Sequence, residues 1–281
     1  MDTRIGFVTC VELGFSCIRE IYRVGGTLDC VITLDDQVAP NKSGRVSVDG
    51  FCEEHGISLA KVRKLNSPES LQFLRSRHLD WLFIVGWSQI ASDEVLSSTR
   101  RGAIGMHPTL LPAGRGRASI PWAILKGLPE TGVTMFKIDS GVDTGPIVGQ
   151  VRIPMSKRET ATELYHKVTL AHRQLIAETW QSLVECNVQL MPQDESLSTY
   201  WPGRTPRDGA LSLDMLCEEA DCLIRATTSP YPGAYLDVLD ERLRIWAGHI
   251  LDADGHVPAG ARLIRFRDGT LVATSFTVES I

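Results

Sequence analysis

Two side chains with the chemistry of a proton-transfer pair stand out, His107 and Asp143, each set among glycines. Ile104 to His107 reads as a short apolar strand that delivers an imidazole to its end, and Pro108 and Pro112 stiffen the loop that follows. Gly132 to Ile138 reads as a buried strand, and beyond it Gly141 and Gly145 frame Asp143. A carboxylate placed there reaches the imidazole if the two strands are neighbours. Positioned acid–base groups of this kind contribute roughly 10²–10⁴-fold to a rate. Asp139 is read as a turn carboxylate rather than a second acid, and His55, His78, His166, His172, His249 and His256 lack metal-ligand spacing. No metal is expected.

The elements that must hold this pair alternate. Ile5 to Cys10 and Leu28 to Leu34 read as strands, with helical spacing at Phe15, Ile18, Ile21 and Tyr22 between them. Val48 to His55 and Ser67 to Arg77 read as helices, and Trp81 to Gly86 as a fully apolar strand. The stretch from Gln37 to Val48 reads as a mobile loop. Strand–helix alternation argues for a parallel sheet covered on both faces, with a ligand site beyond the carboxyl ends of its strands. His107, Asp143 and the Gly86-Trp87-Ser88-Gln89-Ile90 segment all fall there. A long helix follows from about Thr160 to Glu185, opened by the capping-box pair Thr160 and Glu163. From Gln189 to Asp208 periodicity fades, which marks a linker. Then come a helix over Leu213 to Ala226, a turn from Pro230 to Tyr235, and strands near 243–250, 261–266 and 270–276.

Composition narrows the function classes. Net charge is −5, and residues 201–281 hold eight arginines, no lysine and twelve acids, so there is no broad basic footprint for displacing counterions from a nucleic acid. The sequence has no apolar run long enough to span a bilayer and no signal-peptide pattern at its start, so a cytoplasmic location and no membrane partner are expected. Seven cysteines without CxxC spacing read as buried thiols. The absence of a GxGxxG loop after the first strand argues against a dinucleotide cofactor.

The run from Gly105 to Gln150, GMHPTLLPAGRGRASIPWAILKGLPETGVTMFKIDSGVDTGPIVGQ, resembles the catalytic segment of the formyltransferases that use 10-formyltetrahydrofolate. His107 with Thr109-Leu-Leu-Pro112, Arg115-Gly116, Glu130 to Thr134 and Asp143-Thr-Gly145 carry the resemblance. It extends through Arg204-Thr-Pro-Arg-Asp-Gly209 and the PYPGAY turn into the small domain of the methionyl-tRNA and amino-sugar enzymes. The resemblance implies an α/β protein: a Rossmann-like, mostly parallel sheet in a catalytic domain over 1–190, a linker over 191–207, and a small C-terminal β-rich open-barrel (OB-like) domain over 208–281. It implies an enzyme moving a formyl group from 10-formyltetrahydrofolate, its co-substrate, to an amine.

Several roles follow from that resemblance. His107, Asp143, Gly105 and Thr109 are the catalytic candidates. Gly86, Trp87, Gln89, Ile90, Ile138, Ser140 and Val142 are expected along the folate, and Leu111, Pro112, Arg115 and Arg117 at the acceptor. Guanidinium forks at Arg115 and Arg117 suit phosphate oxygens. One departure is Gly105, two residues before the histidine, where the family usually has an asparagine that hydrogen-bonds the formyl oxygen. Losing such a donor typically costs on the order of 10²–10³ in rate. Gly105 is expected to make room for a main-chain N–H or a water in its place, with Thr109 as a second candidate donor. The favoured acceptor is a small molecule, a nucleotide-linked amino sugar or a natural-product amine. The alternatives are a methionyl-tRNA formyltransferase, a non-catalytic folate-binding relative, and formylfolate hydrolysis. A homodimer is compatible with the family.

Overall fold

A computed structural model describes residues 3–38, 44–252 and 255–281. Its elements begin with β1 (Ile5–Val8), α1 (Glu12–Arg23), β2 (Cys30–Leu34), α2 (Asp49–Glu54), β3 (Ser58–Val62), α3 (Pro68–Arg77), β4 (Trp81–Ile84) and α4 (Asp93–Leu96). They continue with β5 (Gly102–His107), β6 (Arg115–Gly116), α5 (Ser119–Leu125), β7 (Glu130–Ile138), β8 (Ile147–Pro154), α6 (Ala161–Val184) and β9 (Tyr200–Trp201). The last are α7 (Cys217–Thr227), β10 (Ala234–Val238), β11 (Glu241–Ile250), β12 (Arg262–Arg265) and β13 (Thr270–Ser280).

Chain contacts divide these into two compact units, 1–116 with 131–153 and 168–200, and 117–130 with 154–167 and 201–281. The first is built on a seven-stranded sheet of order β3-β2-β1-β4-β5-β7-β8. β1 to β5 pair in parallel, as the strand–helix alternation implies. The inner strands, Ile-Gly-Phe-Val, Cys-Val-Ile-Thr-Leu and Trp-Leu-Phe-Ile, are nearly continuous apolar runs because both of their faces are covered. On one face Phe7 stacks on Phe83 at 5.5 Å, and Trp180 of α6 lies 6.4 Å from Phe83. On the other, Val8, Ile32, Leu82 and Ala103 pack with Leu74 of α3 and Val95 of α4.

Two strands escaped the periodicity. β3 lies at the sheet edge and is half-exposed, with no clean alternation to mark it. β8 does alternate, with Ile147, Val151 and Ile153 every second residue, but Gly149 interrupts the pattern. A difference of greater consequence is β7, which runs antiparallel to β5 with Ala103 opposite Ile138 and His107 opposite Thr134. The expected loop over 37–48 is described only in part, because 39–43 lie outside the described residues. Arg45 is anchored there, its guanidinium bonding Leu34 O at 2.9 Å and Asp36 Oδ1 at 2.6 Å.

In the second unit α7 packs on a four-stranded antiparallel sheet of order β10-β11-β13-β12, the β-rich C-terminal portion that the sequence implies. Leu223 and Ile224 of the helix meet Leu236, Ile245 and Leu271 of the sheet. α7 begins at Cys217 rather than Leu213, since Met215 N donates to Ser212 O in a turn. β10 begins inside the expected turn, at Ala234. None of the described helices is long and apolar enough to cross a membrane.

Candidate active site

His107 ends β5 between Met106 and the Pro108 turn, with its backbone opposite Thr134 and its side chain only 9% exposed. Its Nε2 lies 2.8 Å from Gly114 O. A carbonyl can only accept, so Nε2 carries a hydrogen in every protonation state this contact permits. The remaining nitrogen, Nδ1, faces Asp143 Oδ2 at 3.5 Å. One titratable position is therefore left on the ring, and it points at a carboxylate.

The sequence places Asp143 five residues past the end of β7, and the antiparallel direction of β7 explains how it returns. Ile138 sits opposite Ala103, at the start of β5, and the 139–146 loop then doubles back toward the end of that strand. Thr144 Oγ1 and Gly141 N donate to Asp139 Oδ1, at 2.6 and 3.1 Å, which closes the turn and confirms Asp139 as a turn carboxylate. A β-carbon at Gly145 would lie 1.7 Å from Lys137 O, so only glycine permits this return. Asp143 itself adopts φ +55°, a left-handed conformation that aspartate tolerates better than most residues. Gly116 N donates to its Oδ2 at 2.9 Å, and Gln193 Nε2 donates to its carbonyl at 2.8 Å.

The 108–116 loop is locked by hydrogen bonds to its main chain. Thr134 Oγ1 donates to Thr109 O at 2.8 Å and accepts from Leu111 N at 3.0 Å, while Gln150 Nε2 donates to Leu111 O at 2.8 Å. The Leu111–Pro112 peptide is cis. Gly114 N donates to Thr199 Oγ1 at 2.8 Å. Thr109 is 2% exposed, yet its hydroxyl has no partner among the described residues. His172 on α6 is fully buried and also keeps an orphan nitrogen: Nδ1 bonds Val168 O at 2.8 Å and Nε2 has no partner among the described residues. Burial pulls this imidazole down to about 4, and the nearby His107 opposes its charge further.

Two expectations need correction. Arg115 is completely buried: its guanidinium bonds Glu195 at 2.6 and 2.8 Å, Gln193 at 2.7 Å and Tyr200 Oη at 2.9 Å. Held in this way, it ties the 193–200 segment to the loop and has no donor left for an acceptor. The Arg115 guanidinium also holds the Glu195 carboxyl below its usual range. The Gln89 side chain accepts from Leu65 N at 2.8 Å and donates to Arg63 O at 2.9 Å, which fixes the loop after β4. Finally, the space beside Gly105 is not open. A β-carbon there would lie 3.0 Å from both Phe136 Cζ and Ile138 Cγ1, so these side chains have taken the volume.

The other expected residues are distributed as follows. Gly86, at φ +68°, turns the chain out of β4 against Val11, where a β-carbon would meet Val11 Cγ2 at 2.3 Å. Trp87 and Ile138 both pack on the Val8–Leu82–Ala103 core, which brings the two loops that follow β4 and β7 over one face of the sheet. Ile90 is 77% exposed, Val142 49%, and Ser140 is also exposed. Leu111 is buried and Pro112 half-buried. Arg117 belongs to the second unit. Thr134, Gln150, Gln193 and Thr199 were not anticipated. Gln150 carried a signal in the alternation of β8, whereas Gln193 and Thr199 lie in a stretch with no periodicity at all. Among the described residues no group of His, Cys, Asp and Glu is placed to hold a metal.

The family described as formyl transferase matches residues 26–179, and the family of its C-terminal domain matches residues 204–279. The chain is similar to HypX from Aquifex aeolicus, solved in complex with tetrahydrofolic acid, at 18% identity and TM-score 0.70, over 98% of this chain and 44% of that one. It thus spans less than half the length of that protein. An N-formyltransferase from Helicobacter canadensis, in complex with folinic acid and dTDP-3-aminofucose, matches at 18% identity and TM-score 0.67, over 96% of this chain and 98% of that one. The methionyl-tRNA formyltransferase from Clostridium thermocellum matches at 16% identity and TM-score 0.63, over 99% of each. At such identities the likeness is one of fold.

Proposed function

Because the chain belongs to the formyl transferase family, we propose that it moves a formyl group from 10-formyltetrahydrofolate to the amine of a small molecule, with a nucleotide-linked amino sugar as the favoured acceptor. In this reading residues 1–190 are the catalytic portion and 208–281 an accessory portion. The observation that carries it is the His107–Asp143 pair, with Nε2 pinned to Gly114 O and Nδ1 directed at the carboxylate.

The folate, when bound, supplies the formyl carbon. An attacking amine must shed a proton, and Nδ1 is the position on His107 that can receive it. Asp143 then stabilises the imidazolium formed there, at 3.5 Å and only 18% exposed, where a charge pair is weakly screened. The proton can be returned from Nδ1 to the departing folate nitrogen without loss of the Nε2–H bond. Thr109 is the donor we assign to the formyl oxygen, since its buried hydroxyl lacks any other partner among the described residues.

The residues beyond β4 and β7 fit a flat heterocycle with a polar edge. Trp87 Nε1 is buried and unpartnered among the described residues, an orphan donor of the kind a ligand acceptor would satisfy. Ile90 and Val142 present apolar side chains at the loop tips. The acceptor assignment draws on the nucleotide-linked amino sugar bound by the Helicobacter canadensis enzyme and on the net charge of −5, which disfavours a tRNA.

The test is to incubate the chain with 10-formyltetrahydrofolate and a panel of nucleotide-linked amino sugars, amino acids and initiator methionyl-tRNA. The expected result is a mass gain of one formyl group on an amino sugar, falling by roughly 10²–10⁴-fold in His107→Ala. Formylation of methionyl-tRNA alone would overturn the acceptor, and folate binding without any product would overturn the transfer.

A further inference from the structure

Residues 191–200 follow no sequence period and supply none of the reacting groups, yet both ends of this stretch are bonded to the elements that carry the His107–Asp143 pair. Met191 exchanges two main-chain hydrogen bonds with Ile147 at the start of β8, at 2.7 and 2.9 Å. At the far end Thr199 O accepts from Arg115 N at 2.9 Å, next to Gly114, whose carbonyl holds His107 Nε2. Gln193 lies between these anchors and is half-buried. Its Nε2 donates to Asp143 O at 2.8 Å and to Gly145 O at 2.7 Å, while its Oε1 accepts from Arg115 Nη2 at 2.7 Å and Nε at 3.2 Å.

A primary amide has two N–H donors and one oxygen with two lone pairs, and all of them are occupied here. The reverse orientation would set N–H groups against a guanidinium and the oxygen against two carbonyls, so the pattern admits one orientation only. Its effect falls on Asp143, whose φ of +55° is a conformation that a residue with a β-carbon adopts less readily than the right-handed one. Gln193 holds the main chain of Asp143, and Gly116 N holds Oδ2, the atom that lies 3.5 Å from His107 Nδ1. Both holds originate from β6, one through the Arg115 guanidinium and the other from the next residue directly. The carboxylate is thus fixed at its two ends.

We propose that Gln193 is a positioning residue for the reaction, acting through Asp143: its amide clamps the carbonyls of Asp143 and Gly145 and so aims the carboxylate at His107 Nδ1. The kinetic part of this inference rests on the formyl transfer proposed above. Buried Arg115 is the support of the clamp, since Glu195 and Tyr200 fix the guanidinium that fixes the amide. The roles of the two faces of Gln193 are separable by substitution. Glutamate keeps the length of the side chain and an acceptor for Arg115 but, ionised, offers no N–H to the two carbonyls, whereas methionine keeps the bulk alone.

The experiment compares Gln193→Glu and Gln193→Met in the full chain, each alone and combined with Asp143→Asn, with urea unfolding to confirm that each variant is folded. Both single variants should lower kcat by roughly 10²-fold, the cost of a misplacement of about 1 Å, and leave KM nearly unchanged. Neither should add to the loss caused by Asp143→Asn, because the amide works through that carboxylate. Losses that multiply with that of Asp143→Asn overturn the assignment, as does a raised KM with kcat intact. Wild-type turnover in Gln193→Glu also overturns it and leaves Gln193 a partner of Arg115 alone. A second readout needs no reaction: the nitrogen NMR resonance of His107 Nδ1 in the folate-free chain should move in Gln193→Glu and Gln193→Met in the same direction as in Asp143→Asn. A resonance that stays in place in both variants overturns the inference. A wild-type chain that forms no formylated product would overturn the proposed reaction instead, with the resonance still deciding whether Gln193 aims the carboxylate.

Discussion

Asp143 and Asp221 are both shielded carboxylates, and the regions around them use that group in opposite ways. Asp221, on α7 of the second unit, is 1% exposed and sits between two guanidiniums, Arg225 Nε at 2.8 Å and Arg158 Nη2 at 2.7 Å. Its charge is met on both sides by guanidiniums, which stay charged throughout the working pH range. Asp143 has one backbone N–H and one imidazole, and the imidazole has a single free position. A fixed charge matched by fixed charges holds structure together. The same charge facing a titratable partner can move a proton.

The contrast predicts a double dissociation. Asp143→Asn should lower turnover by roughly 10²–10⁴-fold with little change in unfolding free energy, whereas Asp221→Asn should cost about 3 kcal/mol of stability and leave turnover per folded molecule unchanged. Steady-state kinetics beside urea unfolding would separate the two, and equal losses in both columns would erase the distinction.

A second way to sharpen it uses His172. Its value is lowered from 6.5 to about 4 by burial, so between those two pH values the unfolded chain binds a proton that the folded chain refuses. Stability is therefore full above about pH 6.5 and falls as pH drops toward 4, by on the order of 3 kcal/mol from this group. His172→Phe should flatten that slope in unfolding midpoints measured from pH 7 to 4. An unchanged slope would assign it to other groups.

The smallest effect concerns Gly105. Because Phe136 and Ile138 occupy the neighbouring volume, Gly105→Asn should cost about 2 kcal/mol through overpacking and bring no gain in turnover. Adding Phe136→Ala should recover stability. A large gain in turnover for the single variant would show that the site lacks only that amide, and would remove Thr109 from its assigned role.

The sequence was informative wherever chemistry and period coincide. The apolar strands β1, β2 and β4 announced a parallel sheet, and glycine spacing around His107 and Asp143 picked out two loops before any contact was known. It was silent about partners chosen by the fold. Arg115 reads as an exposed fork for phosphate, yet Glu195, Gln193 and Tyr200, some 80 positions downstream, surround it. Nothing local distinguishes a guanidinium that meets a ligand from one that meets its own chain.

By itself, then, the amino-acid order determined which groups can titrate and where the backbone must bend, because residue type and glycine or proline placement act within a few bonds. Only the tertiary structure decided which nitrogen of His107 is free, since that depends on Gly114 O and on β7 running antiparallel so that Asp143 is carried back to the ring. Hydrogen-bond direction and strand orientation are properties of groups far apart in the chain, and they become fixed only when the sheet assembles.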